Sequence, residues 1–160
     1  MWSVSTFEQL SELRIVTIGC LRWTMSFSGF PRIPGSVVLC IDNDEEVLQC
    51  EKSFLETFGY IVLAAASVGR GLELASMHPV DIVIIDYLMP VMNGQEVALE
   101  MRRLKPQTPI IMLSASVDVP DQVLKLVDAY IAKEHMASEL LPTIAQLRGC
   151  ESVPPSAHDA

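Results

Sequence analysis

The chain has 160 residues, half of them hydrophobic, and carries a formal net charge of −9 at pH 7. This length suits one domain with a sizeable core and hardly two, and the hydrophobic content excludes a disordered chain. The negative charge argues against nucleic acid and anionic membranes as partners, and no apolar run is long enough for a membrane span. The cysteine spacing matches no metal site or CxxC motif, so we expect a reduced, cytoplasmic protein; the cysteines are Cys20, Cys40, Cys50 and Cys150.

Residues 1–35 differ in character from the rest of the chain. Residues 7–18 suit a short helix and a strand, but four residues that break regular structure follow them, namely Gly29, Pro31, Pro34 and Gly35. We therefore predict an N-terminal extension, poorly ordered or accessory, over residues 1–35. A compact domain over residues 36–149 and a disordered tail over residues 150–160 complete the expected organisation.

Within the compact domain, strand patterns alternate with helical patterns. The predicted strands cover residues 37–41, 60–65, 81–86, 110–114 and 130–133. The predicted helices cover residues 45–58, 68–78 with Ser67 as the cap, 94–104, 120–127 and 138–147. Five strand–helix units with short connections predict a parallel sheet that helices cover on both faces.

One face of the first predicted helix is apolar except at a single position. Its members are Val47, Glu51, Phe54, Leu55 and Phe58, and Glu51 is the charged exception. Such a face is typical of a helix that packs on a core.

Asp86 lies at the end of the most apolar predicted strand. The four β-branched residues at positions 82–85 precede it, as is typical of a strand buried on both faces in a parallel sheet. In open α/β sheets, ligand sites lie at the carboxyl ends of such strands. Pro90 and the pair Asn93-Gly94 then require a loop before the next helix. This arrangement predicts a site rather than a simple strand end.

Polar residues stand at the ends of three more predicted strands: Asp42-Asn43-Asp44, Ser114 and Lys133. Because the carboxyl ends of parallel strands converge on one edge, we expect these residues to lie near Asp86. A carboxylate there can act as a nucleophile toward phosphorus and form an acyl phosphate. Neighbouring carboxylates can hold Mg²⁺, while the lysine and the serine hydroxyl can stabilise phosphoryl oxygens.

These residues resemble the receiver domain of two-component response regulators. The resemblance covers about residues 36–149, and its most specific part is the run from Asp86 to Gly94. It implies a flavodoxin-like fold of the α/β class: a doubly wound, five-stranded parallel sheet in the order 2-1-3-4-5 with helices on both faces. The residues that carry it are Asp42-Asn43-Asp44, Asp86-Tyr87-Leu88-Met89-Pro90-Val91-Met92-Asn93-Gly94, Ser114-Ala115, and Tyr130 with Lys133.

The resemblance also implies a phosphorylation switch. Asp86 would accept a phosphoryl group from a phosphohistidine on a sensor histidine kinase or a histidine phosphotransfer protein, with Lys133 and Ser114 assisting. Ser114 and Tyr130 would be the switch pair. The surface around the predicted helix at 120–127, the last strand and the last helix would then change shape, and a downstream protein target would bind the changed surface. The resemblance does not decide whether the protein forms a homodimer.

For the metal site, the resemblance implies Mg²⁺ ligands from Asp42, Asp86 and the Leu88 carbonyl, some of them through water. The family usually has a second acidic residue where this chain has Asn43. The Asn43 amide still offers an oxygen, but it removes one negative charge from the metal site. We therefore expect weaker Mg²⁺ binding, unless Asp44 reaches the site.

Two further features depart from the family pattern. The residue after Lys133 is Glu134 rather than proline, and a cis peptide bond there would cost about 3–4 kcal/mol, so we expect a trans bond. This leaves the orientation of Lys133 open. The segment between Ser114 and Tyr130 is a few residues shorter than usual, so we expect an atypical output surface.

Each site residue also has a structural alternative. Asp86 could cap the following loop, and Asp42 or Asp44 could stabilise the N-terminus of the first helix. Lys133 could be a solvated charge, and Tyr130 could be a core aromatic residue. Because they occur together with the other motif residues, we favour the functional interpretation of Asp86, Asp42 and Lys133. For Asp44 and Tyr130, the functional and the structural interpretation are equally supported.

The sequence predicts a stand-alone receiver: a phosphorylation-driven interaction switch that is not an enzyme beyond its own phosphorylation and dephosphorylation. Asn43 and Glu134 motivate an alternative, a degenerate receiver that binds partners without phosphorylation.

A third interpretation is a haloacid-dehalogenase-type phosphatase, because Asp42-Asn43-Asp44 and Ser114 fit its pattern superficially. That class requires threonine or valine where this chain has Glu46, and it requires a late acidic pair that is missing from the sequence. It also leaves the run that begins at Asp86 without explanation.

Overall fold

The structure is a computed structural model that describes residues 13–18, 21–26, 35–90, 93–115 and 119–149. The predicted tail at residues 150–160 and the first part of the predicted segment 7–18 lie outside these ranges. Within the described ranges, every helix is too short or too polar to cross a membrane.

The first two strands form a hairpin of their own. β1 (Leu13–Ile18) pairs with β2 (Leu21–Ser26) in antiparallel orientation. The strand part of the predicted segment 7–18 corresponds to β1, whereas the sequence pattern predicts no strand at β2. β1 contacts the first helix of the compact domain.

Five parallel strands form the central sheet. They are β3 (Val37–Ile41), β4 (Ile61–Ala65), β5 (Ile82–Asp86), β6 (Ile110–Ser114) and β7 (Ala129–Ala132). Their order is β4-β3-β5-β6-β7, which confirms the predicted doubly wound order 2-1-3-4-5. Because β3 and β5 are neighbours, with Ile41 opposite Ile85, the residues that follow each strand emerge side by side.

Helices connect and follow the strands of this sheet. They are α1 (Glu45–Thr57), α2 (Val68–Met77), α3 (Gly94–Leu104), α4 (Asp121–Leu124) and α5 (Met136–Leu147). Side chains cap the start of three helices: Asp44 at α1, Ser67 at α2, and Asn93 with Glu96 in a capping box at α3. The predicted helix at 120–127 is wrong in length. α4 is a single turn that begins without a side-chain cap, and short helices are costly to nucleate.

The end of the last strand also differs from the prediction. β7 stops at Ala132, and Lys133–His135 form a 3₁₀ turn that leads directly into α5. Ala132 is the partner of Ser114 in the last pair of the β6–β7 ladder. Lys133 therefore lies just beyond the carboxyl edge of the sheet rather than inside a strand.

Alternate residues along the strands pack on opposite faces of the sheet. On β3, Val38 and Cys40 join a core cluster with residues of α1 and α5, whereas Leu39 and Ile41 join a cluster with residues of α2 and α3. β5 and β6 are buried at every position, as their apolar composition predicts. The helices thus cover both faces of the sheet.

Arg102, near the end of α3, joins three segments of the chain. Its Nε donates to the Leu126 carbonyl (3.1 Å), its Nη1 donates to the Thr108 carbonyl (3.0 Å), and its Nη2 pairs with the Asp128 carboxylate. Asp128 also accepts a hydrogen bond of 2.7 Å from the Ile110 amide at the start of β6. These bonds anchor the connection between α4 and β7, where α4 itself offers little stability.

We predict that Arg102→Ala lowers the free energy of unfolding by about 2–3 kcal/mol, because two carbonyls and one carboxylate lose a charged partner. Urea unfolding followed by circular dichroism measures the change. Arg103→Ala is the matched control: the Arg103 side chain is 77% exposed and pairs with Glu100 on the same helix. Its expected effect is within about 0.5 kcal/mol. Equal losses in the two variants would contradict the anchoring role.

Candidate functional site

Three charged side chains converge at the carboxyl edge of the sheet. Asp42 follows β3, Asp86 ends β5, and Lys133 follows β7. The Lys133 Nζ lies 2.7 Å from Asp42 Oδ2 and 3.1 Å from Asp86 Oδ1. One ammonium group therefore bridges two carboxylates that the sheet order brings together.

Both carboxylates are buried. Asp42 is 1% exposed, and its Oδ1 accepts a hydrogen bond of 2.8 Å from the Asp44 amide. Asp86 is 5% exposed, and the Leu88 amide donates a hydrogen bond to it. Burial raises the pKa of Asp86, the charge of Lys133 opposes this rise, and Asp42 adds to it.

Lys133 remains a cation in this environment. Burial acts to lower its pKa, but the hydrogen bond to Asp42 and the charges of both carboxylates outweigh burial and raise the pKa. The peptide bond between Lys133 and Glu134 is trans, as expected from the sequence, since the described residues contain no cis peptide bond. Lys133 reaches both carboxylates from this backbone.

The carboxylate oxygens suit a divalent cation. Asp86 Oδ1 is buried and forms an ion pair of 3.1 Å with the Lys133 ammonium. No group of three or more His, Cys, Asp or Glu side chains in this part of the chain forms a metal cluster. Two carboxylates with backbone oxygens and water fit Mg²⁺, which prefers oxygen and keeps several waters.

The remaining predicted metal residues lie around this pair. Asn43 is exposed next to Asp42, and Leu88 is 54% exposed in the loop that follows Asp86. Asp44 adopts the structural role considered for it, at the N-terminus of the first helix. Its Oδ1 accepts hydrogen bonds from the amides of Glu46 (3.0 Å) and Val47 (3.2 Å) at the start of α1. The Asp44 carboxylate is therefore engaged as a helix cap.

The predicted switch pair stands on the two neighbouring strands. Ser114 is fully buried at the end of β6, and its ladder partner Ala132 immediately precedes Lys133. Tyr130 is half-buried on β7, opposite Met112, and packs against the core cluster on the α2 and α3 side. Ser114 thus lies at the edge that holds the charged residues, while Tyr130 lies further back along its strand.

Gly94 allows the loop after Asp86 to fold tightly. A Cβ atom at Gly94 would lie 2.8 Å from the Asp86 carbonyl oxygen and 2.8 Å from the Tyr87 Cα. The Gly94 amide donates a hydrogen bond of 3.0 Å to the Tyr87 carbonyl, which closes the loop. The glycine of the Asn93-Gly94 pair is therefore required by close backbone approach.

Glu51 is the residue whose importance sequence reasoning missed. It lies on the inward face of α1 and is 2% exposed, among the apolar residues of that face. Burial and the charge of Asp42 raise its pKa to about 8, although Lys133 acts in the opposite direction. The signal was present in the sequence as the one charged residue on an otherwise apolar helix face, and its depth required the structure.

Comparison with known proteins gives a family and two sets of relatives. The family profile described as "Response regulator receiver domain" matches residues 38–145. The alkaline phosphatase synthesis transcriptional regulatory protein PhoP of Bacillus subtilis is 31% identical over 123 residues, which cover 74% of this chain and 51% of PhoP. The response regulator SaeR of Staphylococcus aureus is 29% identical over 113 residues, which cover 69% and 49%. The chain spans about half the length of these curated relatives.

The chain is also similar to solved structures of response regulator proteins. A CheY-like response regulator receiver domain protein from Methanospirillum hungatei superposes with a TM-score of 0.68 at 29% identity, covering 73% of this chain and 97% of that protein. The response regulator TrrA from Thermotoga maritima, solved in complex with Mg²⁺ and BeF, superposes with a TM-score of 0.66 at 28% identity, covering 70% and 98%.

Glu51 makes stability depend on pH. Its pKa is about 8 in the folded protein against an ordinary value of 4.5, so its contribution to stability is fully present below pH 4.5 and is lost as the pH rises toward 8. We predict that Glu51→Gln removes this dependence, so that the variant gains stability over the wild type by up to about 1.4 kcal/mol for each pH unit in that window.

Urea unfolding at several pH values between 5 and 9 checks the Glu51 prediction. Glu56→Gln is the matched control, because Glu56 is exposed on the same helix and pairs with Lys52 at 3.8 Å. A Glu51→Gln gain that is the same at every pH would contradict the buried-carboxyl explanation.

Proposed function

Since the chain belongs to the response regulator receiver domain family, we propose that Asp86 accepts a phosphoryl group and that the protein is a phosphorylation-dependent signalling switch. The observation that carries this proposal is the position of Lys133, whose ammonium bridges the buried carboxylates of Asp42 and Asp86. The donor would be a phosphohistidine on a sensor histidine kinase or a histidine phosphotransfer protein.

The phosphoryl transfer follows from the groups at the edge of the sheet. A carboxylate oxygen of Asp86 attacks the phosphorus atom, the bond between phosphorus and the donor imidazole nitrogen breaks, and the imidazole leaves with the electron pair. The product is an acyl phosphate on Asp86. Lys133 neutralises negative charge on the phosphoryl oxygens, and the Ser114 hydroxyl donates a hydrogen bond to one of them.

Asp42, Asp86, the Leu88 carbonyl and the Asn43 amide oxygen would hold Mg²⁺ in this proposal. A bound Mg²⁺ would supply charge stabilisation for the phosphoryl group during transfer. The fit rests on the donor set described above, namely two buried carboxylates with neighbouring backbone and amide oxygens.

The output of the switch would be a change on the surface formed by α4, β7 and α5. The Ser114 hydroxyl would follow the phosphoryl group, and Tyr130 would turn inward into the space behind it. α4 suits such a change, because it is a single turn without a side-chain cap. The partner that binds this surface would be a protein target or a second copy of the chain.

The two alternative functions make different use of the same residues. A degenerate receiver would keep the fold without phosphorylation, and the neutral Asn43 beside Asp42 is the feature in its favour. A haloacid-dehalogenase-type phosphatase would require the Asp44 carboxylate in the reaction, yet that carboxylate caps α1.

Phosphorylation with acetyl phosphate and Mg²⁺, followed by intact mass spectrometry, tests the proposal. We predict that the wild type gains the mass of one phosphoryl group and that Asp86→Asn gains none. Asp44→Asn is the matched control: it also replaces a carboxylate with an amide, retains a good helix cap, and is expected to be phosphorylated like the wild type.

The other results of the acetyl phosphate experiment are also informative. No adduct on the wild type under saturating donor would overturn the switch in favour of the degenerate receiver. Turnover of a small phosphate ester that depends on Asp42 would instead support the phosphatase.

A further inference from the structure

The N-terminal hairpin, formed by β1 and β2, is an addition to the receiver domain. The family match begins at residue 38, and β1 and β2 form a sheet that is separate from the central one. The residues of the proposed phosphorylation site all belong to the central sheet and to the segments that follow its strands. The hairpin is therefore available for a function other than phosphoryl transfer.

One side of the hairpin is occupied and the other is open. α1 contacts β1 more extensively than it contacts β2, so β2 is the outer strand. Among the described residues, this sheet contains only the two strands, and the outer edge of β2 has no strand beside it. The backbone amides and carbonyls along such an edge are complementary to another strand. A two-stranded ribbon is marginally stable on its own, and a third strand stabilises it.

The charge of the chain indicates which strand can pair with β2. Two copies of the chain each carry a net charge of −9 and repel each other over most of their surface. Residues 13–26 are an exception, because they contain two arginines and no acidic residue. Two copies can therefore meet at the hairpin without bringing carboxylates together. Antiparallel pairing of β2 with its own copy across a two-fold axis satisfies the same backbone groups on both chains.

We propose that β2 is a self-association edge, which pairs in antiparallel orientation with β2 of a second copy of the chain. The product is a four-stranded sheet in which the two β2 strands lie at the centre and the two β1 strands lie outside. The two-fold axis passes near Trp23 and Thr24, at the middle of β2. This interface is distinct from the surface formed by α4, β7 and α5, so the dimer forms without phosphorylation of Asp86.

The alternation of residues along β2 identifies a position at which an added charge opposes this pairing. Arg22 and Thr24 are two residues apart on the strand and therefore share a face of the hairpin. A two-fold axis perpendicular to the sheet brings the same face of both copies together. Position 24 then meets either position 24 or position 22 of the second copy. A lysine at position 24 thus faces a lysine or an arginine in either register.

Sedimentation equilibrium of the full chain, without a phosphodonor and under reducing conditions, tests the proposal. We expect the wild type at high protein concentration to have twice the mass of the 17.6 kDa chain. Thr24→Lys is expected to raise the dimer dissociation constant by about tenfold, because like charges opposite each other destabilise a strand pair. Ile61→Lys is the matched control, since Ile61 is exposed on β4, an edge strand of the central sheet. It is expected to dimerise like the wild type.

A mixture of two variants distinguishes loss of pairing from damage to the hairpin. Thr24→Glu and Thr24→Lys in equal amounts should form a heterodimer, detected by native mass spectrometry. The glutamate then faces the lysine of the other copy, or it offsets the repulsion by facing Arg22. A damaged hairpin would not be rescued in this way.

Four results overturn the proposal. They are a monomeric wild type, an unchanged dissociation constant in Thr24→Lys, loss of the dimer in Ile61→Lys, and a mixture that stays monomeric. Each of them leaves the proposed function intact, because phosphorylation of Asp86 does not enter the measurement.

Discussion

The ion bridge from Lys133 to Asp42 and Asp86 is the interaction on which the rest of the site depends. Burial raises the pKa of Asp86, the charge of Lys133 opposes this rise, and the charge of Asp42 adds to it. Lys133 is itself partly buried and keeps its charge because both acids surround it. Lys133 therefore favours the ionised state of Asp86, and the two carboxylates favour the charged state of Lys133.

The sheet order makes this bridge possible. β3 and β5 are neighbours in register, so Asp42 and Asp86 leave the sheet side by side. One strand, β6, lies between β5 and β7, and two strands lie between β3 and β7. A lysine side chain from the end of β7 is long enough to cross that gap.

Much of this fold is readable from the sequence because the strands are unusually clear. The buried strands β5 and β6 are runs of aliphatic residues, and the residues Ser67 and Asn93 mark the start of α2 and α3. The order of the strands came only from the family resemblance, since alternation of strands and helices is compatible with several orders. β2 and the short length of α4 were not readable, because both depend on packing rather than on local pattern.

The sequence predicts where the candidate site lies in the fold, but it does not predict which side chains contact each other there. The carboxyl-edge rule brings Asp42, Asp86 and Lys133 to one place, but it does not say that a single ammonium contacts both acids. Asp44 illustrates the limit: a carboxylate two residues after Asp42 can serve a metal or a helix, and only the observed hydrogen bonds assign it to α1. The burial of Glu51 could not be predicted for a related reason. A helical pattern predicts which residues share a face, but not how completely other elements cover that face.

The position of Lys133 also connects the charged side chains of the site to the start of α5. The lysine opens the 3₁₀ turn at residues Lys133–His135, and that turn continues without interruption into α5. In the proposed function, a phosphoryl group on Asp86 would add negative charge on one side of the ammonium and draw it away from Asp42. The three residues of the 3₁₀ turn thus join the lysine of the ion bridge directly to the last helix.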